Sequence, residues 1–172
     1  MKKIVLIMAL PLLVVSGLAQ TRNCLRVMPL DELIRTSSFI ARVRVQKSSK
    51  ANYKGLYRQL ATLHVVEVIE GDFTLEIAYV LARSNVPCAE DSYTEGREML
   101  VFLEPDSGLF RTVNFQHGLF VIEGEIVKGW RDKSNKILDK PFAEVREEIL
   151  AILNPKNTPP QPAPPASKPP LF

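Results

Sequence analysis

The stretch Phe39–Gln46, FIARVRVQ, decides the fold class. Phe39, Ala41, Val43 and Val45 fall on one side of an extended chain, and Ile40, Arg42, Arg44 and Gln46 on the other. Apolar residues at a period of two, several of them β-branched, describe a strand with one buried face, because successive side chains of a strand point to opposite sides of its sheet. A helix would scatter the same apolar residues around its axis.

Downstream, the pattern is again mostly that of strands. KSSKANYKGLY, Lys47–Tyr57, is polar, basic and contains a glycine, and is expected as a loop. RQLATLHVVEVIEGD, Arg58–Asp72, is rich in β-formers and apolar on both faces; it suits a long, coiled barrel strand ending in a Gly-Asp turn. TLEIAYVLA, Thr74–Ala82, alternates, with Leu75, Ile77, Tyr79 and Leu81 expected inward. SNVPCAEDSYTEGRE, Ser84–Glu98, is a long loop, and MLVFLE, Met99–Glu104, a short apolar strand. PDSG, Pro105–Gly108, is expected as a turn with Pro105 at its second position, after which LFRTVNF, Leu109–Phe115, pairs back. GLFVIEGEIVKGW, Gly118–Trp130, reads as two strands around Glu123-Gly124.

A helix stands at each end. Pro29 near a start, Asp31 and Glu32 in a first turn, and Leu30, Leu33 and Ile34 as a narrow apolar stripe predict a short helix over Pro29–Thr36. Asp139 and Pro141 lead into Phe142, Val145, Ile149 and Ile152 at helical spacing, an amphipathic helix that Asn154-Pro155 stops. Closely spaced strands with irregular connections favour a closed or partly closed antiparallel barrel, with a sandwich as the alternative.

The flanking segments bear on compartment. Lys2 and Lys3, the apolar run Ile4–Val15, and Gly17 and Ala19 before a cut after Ala19 make residues 1–19 a secretory signal peptide. The run is short for a membrane span, which needs about 20 residues. TRNC before and at Cys24 does not match a lipobox. From Pro155 onward lie 8 of the 13 prolines, so 154–172 is expected as an extended, disordered proline-rich tail with no core of its own. Residues 20–153 then make one domain. Of 22 basic residues two lie in the leader, leaving 20 against 19 acidic ones. That balance gives no argument for nucleic acid or membrane binding. Secretion or a periplasmic location follows, and a monomer is expected. The chain has two cysteines, Cys24 and Cys88. In an oxidising compartment they either bridge or remain two buried thiols. A bridge would close a loop of about 65 residues and stabilise by roughly 4 kcal/mol in the chain-entropy model.

The order of features carries a resemblance. Cys24 lies ahead of a helix; SSFIARVRV follows from Ser37, VEVIEGD ends a long strand, SNVPC ends at Cys88, and EMLVFLE starts at Glu98. Over about residues 24 to 115 this resembles the N-terminal OB-fold domain of the tissue inhibitors of metalloproteinases and the bacterial secreted proteins that share that barrel. The resemblance implies an OB-fold-like β-barrel, mainly β, with the short N-terminal helix and the C-terminal amphipathic helix attached. It also implies a Cys24–Cys88 bridge. The inhibitors carry Cys-x-Cys at the mature N-terminus, whereas this chain has Arg26, and after a cut at Ala19 Cys24 is not terminal. Its nitrogen is then an amide, a poor metal ligand, so zinc chelation does not carry over.

No catalytic constellation stands out. His64 lies within the long strand and reads as a satisfied barrel residue, and His117 as a turn histidine. Two histidines without metal-ligand spacing make a poor zinc site. The carboxylates of AED, Ala89–Asp91, and EPD, Glu104–Asp106, are expected in water. A non-enzymatic protein without cofactor or metal is expected. The strongest binding signal is VRVQKSSKANYKGLYR, Val43–Arg58, with Arg42 just before it. Arg42, Arg44, Lys47, Lys50, Lys54 and Arg58 are interleaved with Tyr53 and Tyr57, a pattern that suits acidic polymers. Export argues against nucleic acid. Two readings stand: a module that binds a protein partner through barrel edge and loops, and an envelope-associated module that binds an anionic polymer through the basic 42–58 region.

Overall fold

A computed structural model describes residues 25–155. The leader, Cys24 and most of the proline-rich tail lie outside the described residues, and so do the expectations placed on them.

The element order is α1 (Leu30–Thr36), β1 (Phe39–Tyr53), β2 (Tyr57–Glu70), β3 (Ile77–Ser84), β4 (Glu98–Asp106), β5 (Leu109–Thr112), a 3-10 turn (Phe115–Gly118), β6 (Leu119–Glu123), β7 (Ile126–Arg131), β8 (Ile137–Pro141) and α2 (Phe142–Leu153). Helix α1 has acidic residues in its first turn and Arg35 in its last, matching the helix dipole. Ser37 ends it: both its backbone N–H (3.2 Å) and its hydroxyl (2.7 Å) donate to the Leu33 carbonyl.

Five strands close a ring in the order β1-β2-β3-β5-β4, with β4 pairing back onto β1 through Phe39↔Leu103 to Arg44↔Glu98. Every step is antiparallel except β3–β5, a short parallel contact at Val80↔Phe110 and Leu81↔Arg111. This is an OB-fold-like barrel carrying an extra lobe. The second edge of β4 is shared: Leu103–Asp106 pairs with β5, while Glu98–Val101 pairs with β6. From β6 the sheet runs on through β7 and β8, outside the ring.

The alternation in β1 and β4 serves two cores at once. Phe39, Ala41, Val43 and Val45 fill the barrel with Met99, Val101 and Leu103. Ile40, Leu100 and Phe102 point out of it, into a second core built with Phe120, Ile122, Val127, Trp130 and the apolar faces of α1 and α2. The near-continuous apolar run of β4 is therefore that of a strand buried on both faces. Gly118 shows how tightly the lobe joins the barrel: a Cβ there would stand 2.1 Å from the Val113 carbonyl oxygen.

Several expectations need correcting. The segment Lys47–Tyr53 is not a loop; it continues β1 as a hydrogen-bonded ribbon with β2, down to Tyr53↔Tyr57. The turn is confined to Lys54-Gly55-Leu56, with Lys54 and Gly55 both left-handed (φ 50° and 68°) and the Leu56 N–H donating to the Tyr53 carbonyl at 2.9 Å. Two successive left-handed residues match the twist of the flanking strands, and glycine supplies the second at little cost. Likewise Pro105 and Asp106 belong to β4, and the turn is Ser107-Gly108 (φ 53° and 83°). In β3 the inward residues are Ala78, Val80 and Ala82; Tyr79 is half exposed and faces solvent. On β2, His64 is exposed, so that strand is not buried on both sides throughout. Strand β8 was not expected.

Candidate functional site

The ribbon β1–β2 gathers the basic and aromatic residues that the sequence singles out, but it divides them. Lys47, Lys50, Lys54 and Arg58 are exposed, and none forms an ion pair with a described carboxylate. Lys54 sits at the turn, donates to the Ser107 hydroxyl at 3.2 Å, and lies 5.0 Å from the centre of the Tyr53 ring, a cation–π contact. Tyr53 itself is half-buried.

Three residues depart from the expected role. Arg42 is built into the structure: its guanidinium bonds Glu98 on β4 and Glu125 in the β6–β7 turn, and lies over the Phe142 ring at 4.8 Å. These carboxylates, Glu125 foremost, hold its pKa well above the ordinary arginine value. Arg42 therefore has no charge to spare for a ligand. Arg44 is exposed but shares Glu98, at 3.4 Å. Tyr57 is buried and offers no stacking face; burial pushes its phenol pKa up, against the pull of the Arg111 guanidinium.

Along the far side of the ribbon runs the segment 83–95, and here the sequence reading missed a component. Asp91 was expected in water yet is only 1 % exposed. Its carbonyl accepts from the Arg83 N–H at 3.0 Å and its carboxylate from the Ser84 N–H at 3.4 Å. Burial raises its pKa. Gln59, on β2, uses its side-chain amide as a strand would use its backbone: it donates to the Tyr93 carbonyl (3.0 Å) and accepts from the Tyr93 N–H (3.1 Å). The Tyr93 phenol, fully buried, is paired with the Thr112 hydroxyl at 2.8 Å. Cys88 lies in this segment, half-buried and left-handed (φ 65°), and its carbonyl accepts from the Gln116 side chain at 2.9 Å.

The histidines do not meet. His64 is on the outer face of β2 opposite Arg44, and His117 lies in the 3-10 turn, where burial lowers its pKa and Arg131 adds to the effect. Among the described residues no group of three or more His, Cys, Asp or Glu is placed to hold a metal ion. None of the described helices is long and apolar enough to cross a membrane. No family model matches the chain, and no curated protein matches it.

Proposed function

We propose that the chain is an exported, non-catalytic binding module on a TIMP-like OB barrel, and that it takes an anionic polymer on the β1–β2 ribbon. One observation carries this reading. Among the described residues Lys47, Lys50, Lys54 and Arg58 stand exposed, without carboxylate partners and together on one hydrogen-bonded ribbon, whereas Arg42, Arg44, Arg97, Arg111, Lys128, Lys140 and Arg146 are ion-paired and the other cations without an ion pair, among them Arg35, Arg131, Lys133 and Lys136, lie off the ribbon. Cations fixed on a rigid strand pair lose less freedom on binding than cations on a loop. Export rests on the leader over residues 1–19. The ring order and the placement of Cys88 support the TIMP-like reading. A purely apolar protein partner is favoured less, because the ribbon's exposed faces are largely polar.

Affinity for heparin as a probe polymer, measured against salt, tests the proposal. Each cation that displaces counterions contributes somewhat less than one to the logarithmic slope, so K47A/K54A should lower the slope by about 2 with folding unchanged. Absence of wild-type binding at low salt defeats the reading.

The Cys24–Cys88 bridge belongs to the same proposal. Non-reducing peptide mapping of exported protein should find the two cysteines in one linked pair. Alkylation of both without prior reduction excludes it.

A further inference from the structure

Between the ribbon and the segment 83–95 lies a cleft of about 330 Å³, lined among others by Lys50, Arg58, Arg83, Ser48, Ser92 and Thr94. A second hollow of about 380 Å³ shares Arg58, Arg83 and Ser92 with it, so the same two arginines border both. Lys50, Arg58 and Arg83 come from three strands' worth of chain, β1, β2 and β3, and none is ion-paired among the described residues. Each hollow has one carboxylate in its lining. Glu95 is engaged by the Ser48 N–H at 2.7 Å, and Glu90 borders only the second hollow. The first cleft's lining thus carries three cations against one carboxylate, Glu95, with the buried Asp91 carboxylate held on the Ser84 N–H outside that lining, and the rest of the lining is rich in hydroxyls.

The walls are held in place. Gln59 clamps Tyr93 to the ribbon through both of its amide atoms, and the buried Tyr93–Thr112 contact anchors that clamp to β5. On the opposite wall Arg83 is left-handed (φ 52°). The Asp91 carbonyl fixes it through the Arg83 N–H.

We propose that this cleft binds the phosphoryl ester of a small polyol, the repeat chemistry of a sugar phosphate or glycerol phosphate unit. The guanidinium fork matches two phosphoryl oxygens at once, Lys50 adds a point charge, and the serine and threonine hydroxyls meet those of the polyol. The volume is at the small end of ligand clefts, which run from about 300 to 1,000 Å³. It suits one such unit. The inference rests on the reading that the ribbon takes an anionic partner, and names the group recognised at its base.

Titration calorimetry of the full exported chain with glycerol 3-phosphate and glucose 6-phosphate, beside glycerol and glucose, tests it. Saturable binding of the esters alone is expected. R58A and R83A should each weaken it by about tenfold, the loss of a charge-assisted contact, while K136A, at an exposed lysine in the turn before β8, leaves it unchanged. Arg58 is exposed, so R58A keeps the test open should R83A disturb its left-handed backbone. Phosphatidylglycerol vesicles distinguish the sources. Vesicle binding that glycerol 3-phosphate competes away points to a lipid headgroup, and ester binding without vesicle binding points to a soluble or polymeric phosphate. Vesicle binding that the ester does not compete away belongs to the ribbon cations outside the cleft and leaves the ester a soluble or polymeric phosphate; absence of ester binding overturns the proposal, as does ester binding insensitive to both R58A and R83A. Heparin binding with no ester binding would defeat the cleft and leave the ribbon reading standing; loss of both would defeat both.

Discussion

Replacing Trp130 by alanine should cost about 4 kcal/mol and lower the melting temperature by roughly 12–16 °C. Trp130 is fully buried on β7, between Phe120 at 5.0 Å and Phe102 at 6.3 Å between ring centres. Those two rings come from β6 and from the outward face of β4, so the indole is where the extra lobe is fastened to the barrel wall. Neither neighbour can close the gap, because Phe120 is tied to Leu100 in the β4–β6 ladder and Phe102 to Ile40 in the β1–β4 ladder. The indole N–H also donates to Glu148 on α2 at 3.1 Å, and Glu148 takes Lys140 at 2.9 Å. Trp130→Phe keeps the packing and loses that bond. It should cost about 1–2 kcal/mol, with Lys140 still facing Glu148. Far-ultraviolet circular dichroism is the readout, since Trp130 is the chain's single tryptophan and its fluorescence leaves with it. A loss under about 1 kcal/mol for the alanine variant would mean that barrel and lobe do not share a packed core.

What could be read from the residues follows from where a buried face exists. The alternation of Phe39–Val45 was legible because one side of β1 fills the barrel and the other meets charges or the second core. Beyond Val45 the same strand leaves the barrel as a ribbon with much of both faces in water, so nothing writes a period of two into Lys47–Tyr53, and a strand passes for a loop. Strand β8 escaped for a related reason: Ile137, its largest apolar residue beside Leu138, is 59 % exposed, as befits the last strand of the sheet. In β3 the size of the residues misled. The ring interior has room for Ala78, Val80 and Ala82, while the bulkier Tyr79 stands outside. The cleft was only half legible. Lys50 and Arg58 belong to the basic cluster, whereas Arg83 is a lone cation at a strand end, brought to them by the β2–β3 pairing. Asp91 carries no mark of burial because its partners are backbone N–H groups, which every residue offers.

Arg42 separates architecture from binding, and its replacement by methionine should cost about 2 kcal/mol without changing affinity for acidic polymer. Methionine keeps an unbranched apolar stem to cover Phe142, so the loss isolates the guanidinium. That guanidinium joins β1 to Glu98 on β4, across the closure of the ring, and to Glu125 in the β6–β7 turn. Its side chain and that of Glu98 are only 15 % and 19 % exposed, so removing the cation strands a carboxylate in a poorly solvated place. Arg44, at 3.4 Å, is a weak substitute. The double variant R42M/E98Q should recover about 1 kcal/mol relative to the sum of the two single losses, since the amide no longer needs a counter-charge. Urea unfolding of the four proteins in that cycle measures the recovery. Additive losses would place Arg42 in solvent as an ordinary surface cation. Heparin affinity measured well below the melting transition completes the division: the salt slope should stay at the wild-type value in R42M and fall in K47A/K54A. A fall of equal size in R42M would return Arg42 to the binding surface and dissolve the distinction between the paired cations of the barrel and the open ones of the ribbon.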